Sequence, residues 1–291
     1  MPPKSRIQIA KRDIVSLFEG YPRRVFSQRD IEKILSENRR FWRLAESTTV
    51  NEFLHYMTEH TDLHAVRLAF SNRPVNRYTW REVPLFELVQ SLKPEGYFTH
   101  YTALHLHALT AQIPKTVYFN IEQRASGGGG QLTQARIDKA FRRKCRVSKN
   151  VATYGDHRIW LLNGQNTGQL GVVSFQTTDG ATIRVSSIER TLIDAVVRPV
   201  YSGGVFEVAR AFEMAHGRFS VNKLVAILRK LDYTYPYHQA IGFYLEHAGG
   251  YRQAQVDLLR QFDMEFDFYL AHDMKDTDYN QRWRLFIPKG F

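Results

Sequence analysis

The sequence predicts an α+β fold in two parts, residues 1–83 and 84–291. Three observations carry this. Residues 1–80 hold three amphipathic periodicities and then two alternating runs around a polar turn. Residues 151–185 alternate with glycine breaks, and the last third returns to helical spacing. The chain is 43% hydrophobic and 13% aromatic over 291 residues, enough for one large core or two modest ones.

The first helix is expected over about 8–19, where Ile9, Ile14, Leu17 and Phe18 form a stripe and Gly20 ends it. A short extended piece, RRVFS, follows. Ser27 caps a second helix, Asp30 sits at the positive end of its dipole, and Ile31, Ile34 and Leu35 face inward. Val50, Phe53, Leu54 and Met57 recur at i, i+3, i+4 and i+7 in a third helix, which Thr49 and Glu52 open as a capping box. LHAVRLAF then reads as a strand, and RYTW closes a hairpin across a turn bearing Arg73, Asn76 and Arg77. Three short helices followed by a hairpin are the order of a winged helix-turn-helix domain. In that arrangement the polar face of the third helix, with Thr48, Asn51, His55 and Tyr56, meets the major groove. The hairpin tip meets phosphates through Arg73, Asn76 and Arg77, stiffened by Pro74. Each of these residues also has a purely local reading, as a cap or a half-exposed side chain.

After Pro84 a mixed α/β domain is expected. LFELVQSL reads as a linking helix, Thr99 as the start of a helix to Leu109, and KTVYFNIEQ as a strand. Three or four strands fill 151–185, with a hairpin turn at 177–180. Helices should span about 187–197, 204–216, 220–231 and 236–248, and FDMEFDFYL reads as a period-2 strand.

Charge is distributed unevenly. The formal net charge is +11, of which residues 1–82 carry +5, residues 83–160 carry +6 and the remainder none. A one-sided basic surface suggests a polyanion such as nucleic acid, against the plainer reading of a solvated face. Residues 136–149 hold seven Lys/Arg and one Asp, which reads as a solvated basic face or as a second contact for nucleic acid or an acidic partner. Cys145 is the single cysteine, so no intrachain disulfide or cysteine zinc site is expected. The segment from Met1 to Arg12 holds no apolar signal core, and no apolar run is long enough for a membrane span. A cytoplasmic protein without membrane contact is the expectation.

Signals for chemistry are weak. The tract at 125–133, ASGGGGQLT, lacks the Gly-Lys-Ser/Thr ending of a phosphate-binding loop and reads as a flexible connection. His100, His105 and His107 have no pair at metal-binding i, i+4 spacing. Asp263, Glu265 and Asp267 alternate on the expected strand and are the best candidate for a metal-dependent nucleotidyl- or phosphotransferase or nuclease. The same pattern describes a half-buried edge strand with its acids in water. No catalytic residue, metal site or cofactor is assigned. In the densest stretch, 186–213, Ser186 and Glu189 are spaced as a capping box, and Arg190, Asp194 and Arg198 as an ion-pair ladder.

Two segments, YFTHYTALHLHALTAQIPKTVY (97–118) and IERTLIDAVVRPVYSGG (188–204), resemble the AbiEi-type antitoxins of bacterial abortive-infection systems. The resemblance extends through most of the chain to WRLFIP (283–288), although the four glycines after Ser126 depart from it. It implies an N-terminal winged helix that represses its own operon by binding promoter DNA, with inverted repeats expected. It also implies a C-terminal antitoxin domain, with Glu189, Arg190, Asp194 and Arg198 in its motif. That domain would oppose a cognate nucleotidyltransferase toxin in phage defence without a stable complex. No enzymatic activity is implied.

Overall fold

A computed structural model describes residues 5–124 and 131–291. The glycine tract at 127–130 lies outside the described residues. The fold is α+β, and among the described residues no helix is long and apolar enough to cross a membrane.

The first part runs α1 (Arg6–Glu19), β1 (Val25–Phe26), α2 (Gln28–Asn38), α3 (Val50–His60), β2 (Leu63–Leu68) and β3 (Val75–Trp80). Each helix opens with the same device. The side chains of Ser5, Ser27 and Thr49 accept from the amide three residues on, and Gln8, Asp30 and Glu52 return the bond. Two otherwise orphaned donors are thus satisfied at each helix start. Ile14, Phe18, Ile31, Ile34, Phe53 and Met57 meet in a core that Leu63 and Trp80 close from the sheet, whose order is β1-β3-β2. Ile9, expected in the buried stripe, is 70% exposed, and Ala10 takes the inward position.

The hairpin has two destinations. Leu63 pairs with Trp80 at its base, on the face turned to the helices. Leu68 and Phe70 at its far end are buried in a different cluster, with Val89, Phe98, Val117 and Val185. Phe70, read as the end of the strand, lies just past β2 and is buried there, while residues 71–74 of the turn are exposed.

The second part adds α4 (Leu85–Gln90), β4 (Tyr97–Phe98), α5 (His100–Leu106), β5 (Thr116–Asn120), α6 (Gln134–Phe141), β6 (Val151–Tyr154), β7 (His157–Leu162), β8 (Val172–Gln176) and β9 (Thr182–Ser186). Its six strands form a mixed sheet, β6-β7-β5-β4-β9-β8, with β5–β7 and β4–β9 parallel. Then come α7 (Ile188–Val197), α8 (Val205–Met214), α9 (Val221–Leu231) and α10 (Tyr237–Ala248). Helix α7 packs against α5, α8, α9 and α10 and is the central strut of the domain. A small sheet, β10 (Phe268–Tyr269), β11 (Thr277–Asn280) and β12 (Leu285–Pro288), ends the fold in the order β10-β12-β11. Trp283 beside it is fully buried against Gly242 of α10, where a Cβ would lie 2.2 Å from the indole ring.

Two expectations are corrected here, on residues 263–267 and on the cap of α7. Residues 263–267 form no strand, because only Phe268 and Tyr269 find a partner, in β12. Phe262, Met264 and Phe266 pack onto the main core without a ladder to align Asp263 and Glu265 with Asp267. The basic segment 136–149 is helical only to Phe141. Helix α7 is capped by Ser187, whose hydroxyl accepts from the Arg190 amide and donates to Glu189, while Ser186 bonds Thr191.

Candidate functional site

Two places hold polar side chains that the core does not account for. The first is the surface of α3 and the hairpin. Asn51 and His55 are exposed on α3, on the side opposite Phe53, Leu54 and Met57. The His55 ring lies 3.5 Å from Glu59. Tyr56 is half-buried against the first core and meets the His60 ring edge-on at 4.6 Å. Thr48 lies before the cap, and its carbonyl accepts from Arg39 at 2.9 Å, so it belongs to the turn rather than to the polar face of the helix. Arg73 is exposed in the hairpin turn. Asn76 is exposed within β3, opposite the exposed Arg67 of β2. Sequence reasoning missed Arg67, whose signal was its position two residues after Ala65 on the outward side of an alternating strand.

Arg77 has a different position from the expected one. It is a β3 residue paired with Val66, on the face turned to the second part. Its guanidinium donates to the Ser91 hydroxyl at 3.1 Å and the Ser91 carbonyl at 3.0 Å. Burial pulls its pKa below the usual arginine range, with the Asp30 charge acting the other way. Arg77 thus fastens the hairpin to the loop after α4.

The second place is a cleft of about 1290 Å³ in the second part, between the start of α5, the end of α7 and the loops after β5, β7 and α9. Four arginines line it, Arg124, Arg146, Arg190 and Arg198, against two acids, Asp194 and Asp232. Arg190 and Asp194 are both nearly inaccessible, and Nε lies 2.7 Å from Oδ1. Further bonds complete the pair, from Arg190 to the Leu170 carbonyl at 2.8 Å and from the Thr99 hydroxyl to Asp194 at 2.9 Å. Burial opposes the Arg190 charge, but the Asp194 carboxylate more than offsets it, so the pKa of Arg190 is raised. Gly171, at φ +76°, makes room for this, since a Cβ there would lie 2.9 Å from the Arg190 Cβ. Glu189 turns away to Lys223 at 3.1 Å.

Arg198 does not extend the ladder. It caps α7 with φ −139° and ψ 70°, as expected of a residue before proline, and swings to Cys145, with Nη1 2.8 Å from Sγ. Among the described residues it has no carboxylate within salt-bridge distance. Beside it, His100 is buried at φ +52° with Nδ1 unpaired. Burial holds its pKa down to about 4, against the pull of Asp194, so the ring is neutral at pH 7. Tyr201 packs edge-on to His100 at 5.4 Å. Tyr233, Tyr235 and Tyr237 supply a further wall, and burial raises the pKa of Tyr233 and Tyr237.

The remaining candidates are dispersed. His107 is separate from His100 and donates a ring N–H to the Ser186 carbonyl at 2.6 Å. His105 is half-buried elsewhere on the same helix. Asp267 is engaged by Arg284 at 2.9 Å and by the Tyr279 hydroxyl at 2.7 Å. Among the described residues, no group of three His, Cys, Asp or Glu is placed to hold a metal.

No family model matches the chain, and a search of curated proteins finds no significant match. Among solved structures, the fold is similar to that of the Rv2827c protein from Mycobacterium tuberculosis, with a TM-score of 0.57 and 14% sequence identity. The alignment covers 97% of this chain and 92% of that one, so the likeness extends over both parts of the molecule and is one of fold.

Proposed function

We propose that the protein is a DNA-binding regulator that reads duplex DNA with α3 and flanks it with the β2–β3 hairpin, in the manner of a winged helix. The observation that carries this is the division of α3 itself. Phe53, Leu54 and Met57 are sealed in the core, while Asn51 and His55 stand in solvent with no structural role beyond one surface contact. Asparagine is suited to bidentate recognition of adenine, and Arg67, Arg73 and Asn76 provide donors for phosphates. The excess charge of residues 1–160 supports a polyanionic partner. The resemblance to AbiEi antitoxins extends the reading. On it, the DNA is the protein's own promoter, and the second part opposes a nucleotidyltransferase toxin without holding it in a stable complex. No strand aligns Asp263, Glu265 and Asp267, the acids of the transferase reading.

The test is binding to DNA from immediately upstream of the gene, against scrambled duplex, at two salt concentrations. Selective binding that weakens steeply with salt is expected. Arg73→Ala should lower affinity for all sequences, and Asn51→Ala should relax preference at one operator position by about 1–3 kcal/mol. Unchanged affinity and preference in both variants would show that this face does not read DNA.

A further inference from the structure

We infer that the cleft in the second part binds a nucleoside phosphate. Arg198 is the first reason. A half-buried guanidinium needs a counter-charge, and among the described residues no carboxylate lies within salt-bridge distance of Arg198, only the Cys145 sulfur. Arg190 shows what a satisfied arginine looks like in the same wall, with a carboxylate, two hydroxyls and a carbonyl around it. Arg198 lacks that arrangement and faces the same cavity as Arg146 and Arg124 at the exposed rim. Three guanidiniums without a carboxylate partner among the described residues, converging on one concavity, suit a phosphate chain.

The second reason is the rest of the lining. Tyr233 and Tyr235 are partly exposed and offer flat apolar faces on which a base can stack. In the same lining, the side-chain amides of Asn163 and Gln165 make no hydrogen bond among the described residues and can meet base or ribose edges. The third reason is His100, with a buried, unpaired ring nitrogen on a left-handed backbone in the cleft wall. A non-glycine residue held in that conformation and an unmet polar atom both cost free energy, and such costs gather where ligands bind. Cations, aromatic faces and free amides in one cavity match the three parts of a nucleotide. The volume is ample for a mononucleotide. The inference does not depend on the DNA-binding reading.

Calorimetric titration of the full chain tests it. The probes are the four nucleoside triphosphates, their monophosphates, the free nucleosides and inorganic pyrophosphate. At least one nucleotide should bind more tightly than either its nucleoside or pyrophosphate. Arg198→Ala, and separately the rim variant Arg146→Ala, should each weaken that nucleotide by about tenfold or more. Tyr235→Ala should weaken the nucleotide while leaving pyrophosphate unaffected. The inference falls if no nucleotide binds at millimolar concentration, or if both arginine variants bind as the parent does. It falls equally if pyrophosphate binds as well as every nucleotide, or if an oligonucleotide occupies the cleft and no mononucleotide competes.

Discussion

Helix α3 is capped by Thr49, carries polar residues between apolar ones, and leaves Asn51, Glu52, His55 and Glu59 in water. Helix α7 is capped by Ser187, has a similar alternation of kinds, and buries every residue from Glu189 to Val196. One helix lies at the edge of a small core and the other is surrounded by four helices. The contrast shows that a charged residue at helical spacing does not report its own exposure. On α3 the polar residues are free for a partner. On α7 the same chemistry is paired internally, and only Arg198, the residue that caps its end, faces the cleft without a carboxylate among the described residues.

The sharpest way to break the comparison is to remove a charge from the buried helix. Asp194→Ala leaves Arg190 buried without its counter-ion and should cost about 3–5 kcal/mol in urea unfolding. Replacing both, as Arg190→Met with Asp194→Leu, should recover most of that loss. A cost under about 1 kcal/mol for the single variant would mean that water reaches α7. Phe70→Ala should cost about 3 kcal/mol, because the ring is 4% exposed in the second core; a hairpin tip free in solution would show almost none.

Acid should destabilise the whole fold through two histidines of the second part. His100 and His238 are each held near a pKa of 4 by burial, below the usual value of 6.5. The unfolded chain therefore takes up protons between pH 6.5 and 4 that the folded one refuses. Stability is fully present above pH 6.5 and falls as the pH drops toward 4, by about 2 kcal/mol per histidine at pH 4.5. His100→Gln should flatten that fall by one such share in denaturation measured at pH 7.5 and 4.5. A smaller effect is expected at the start of α3, where Thr49→Ala removes one half of the capping box for about 1 kcal/mol. The smallest is Asn51→Ala, which should change thermal stability by no more than about 0.5 kcal/mol. A larger loss there would mean that Asn51 has a structural duty.

What the sequence made legible was local. The caps at Ser27 and Thr49, the hairpin and the four helices from α7 to α10 are set by side chains within a few residues of each other, whereas the cap at Ser5 was not read. The missed features depend on distant partners. Nothing near Phe70 or Arg77 says that a second core lies against the hairpin, and the period-2 pattern of 262–268 says nothing about which strand will pair with it. The cleft was hidden for the same reason, since its walls come from segments as far apart as Tyr97 and Tyr237. One part of it was available. Arg198 precedes Pro199, and a residue before proline is pushed out of the helical region, so the expected ladder to Asp194 was already unfavourable.

The placement of Leu68 and Phe70 also determines what kind of unit the segment 1–80 is. It is not a detachable cassette. Cut away after Trp80, this segment would carry two bare apolar side chains at its tip and leave a matching hole behind. The intact chain should melt in a single cooperative step, and a graft of this segment onto another protein should need Leu68 and Phe70 recoded as polar residues to remain dispersed.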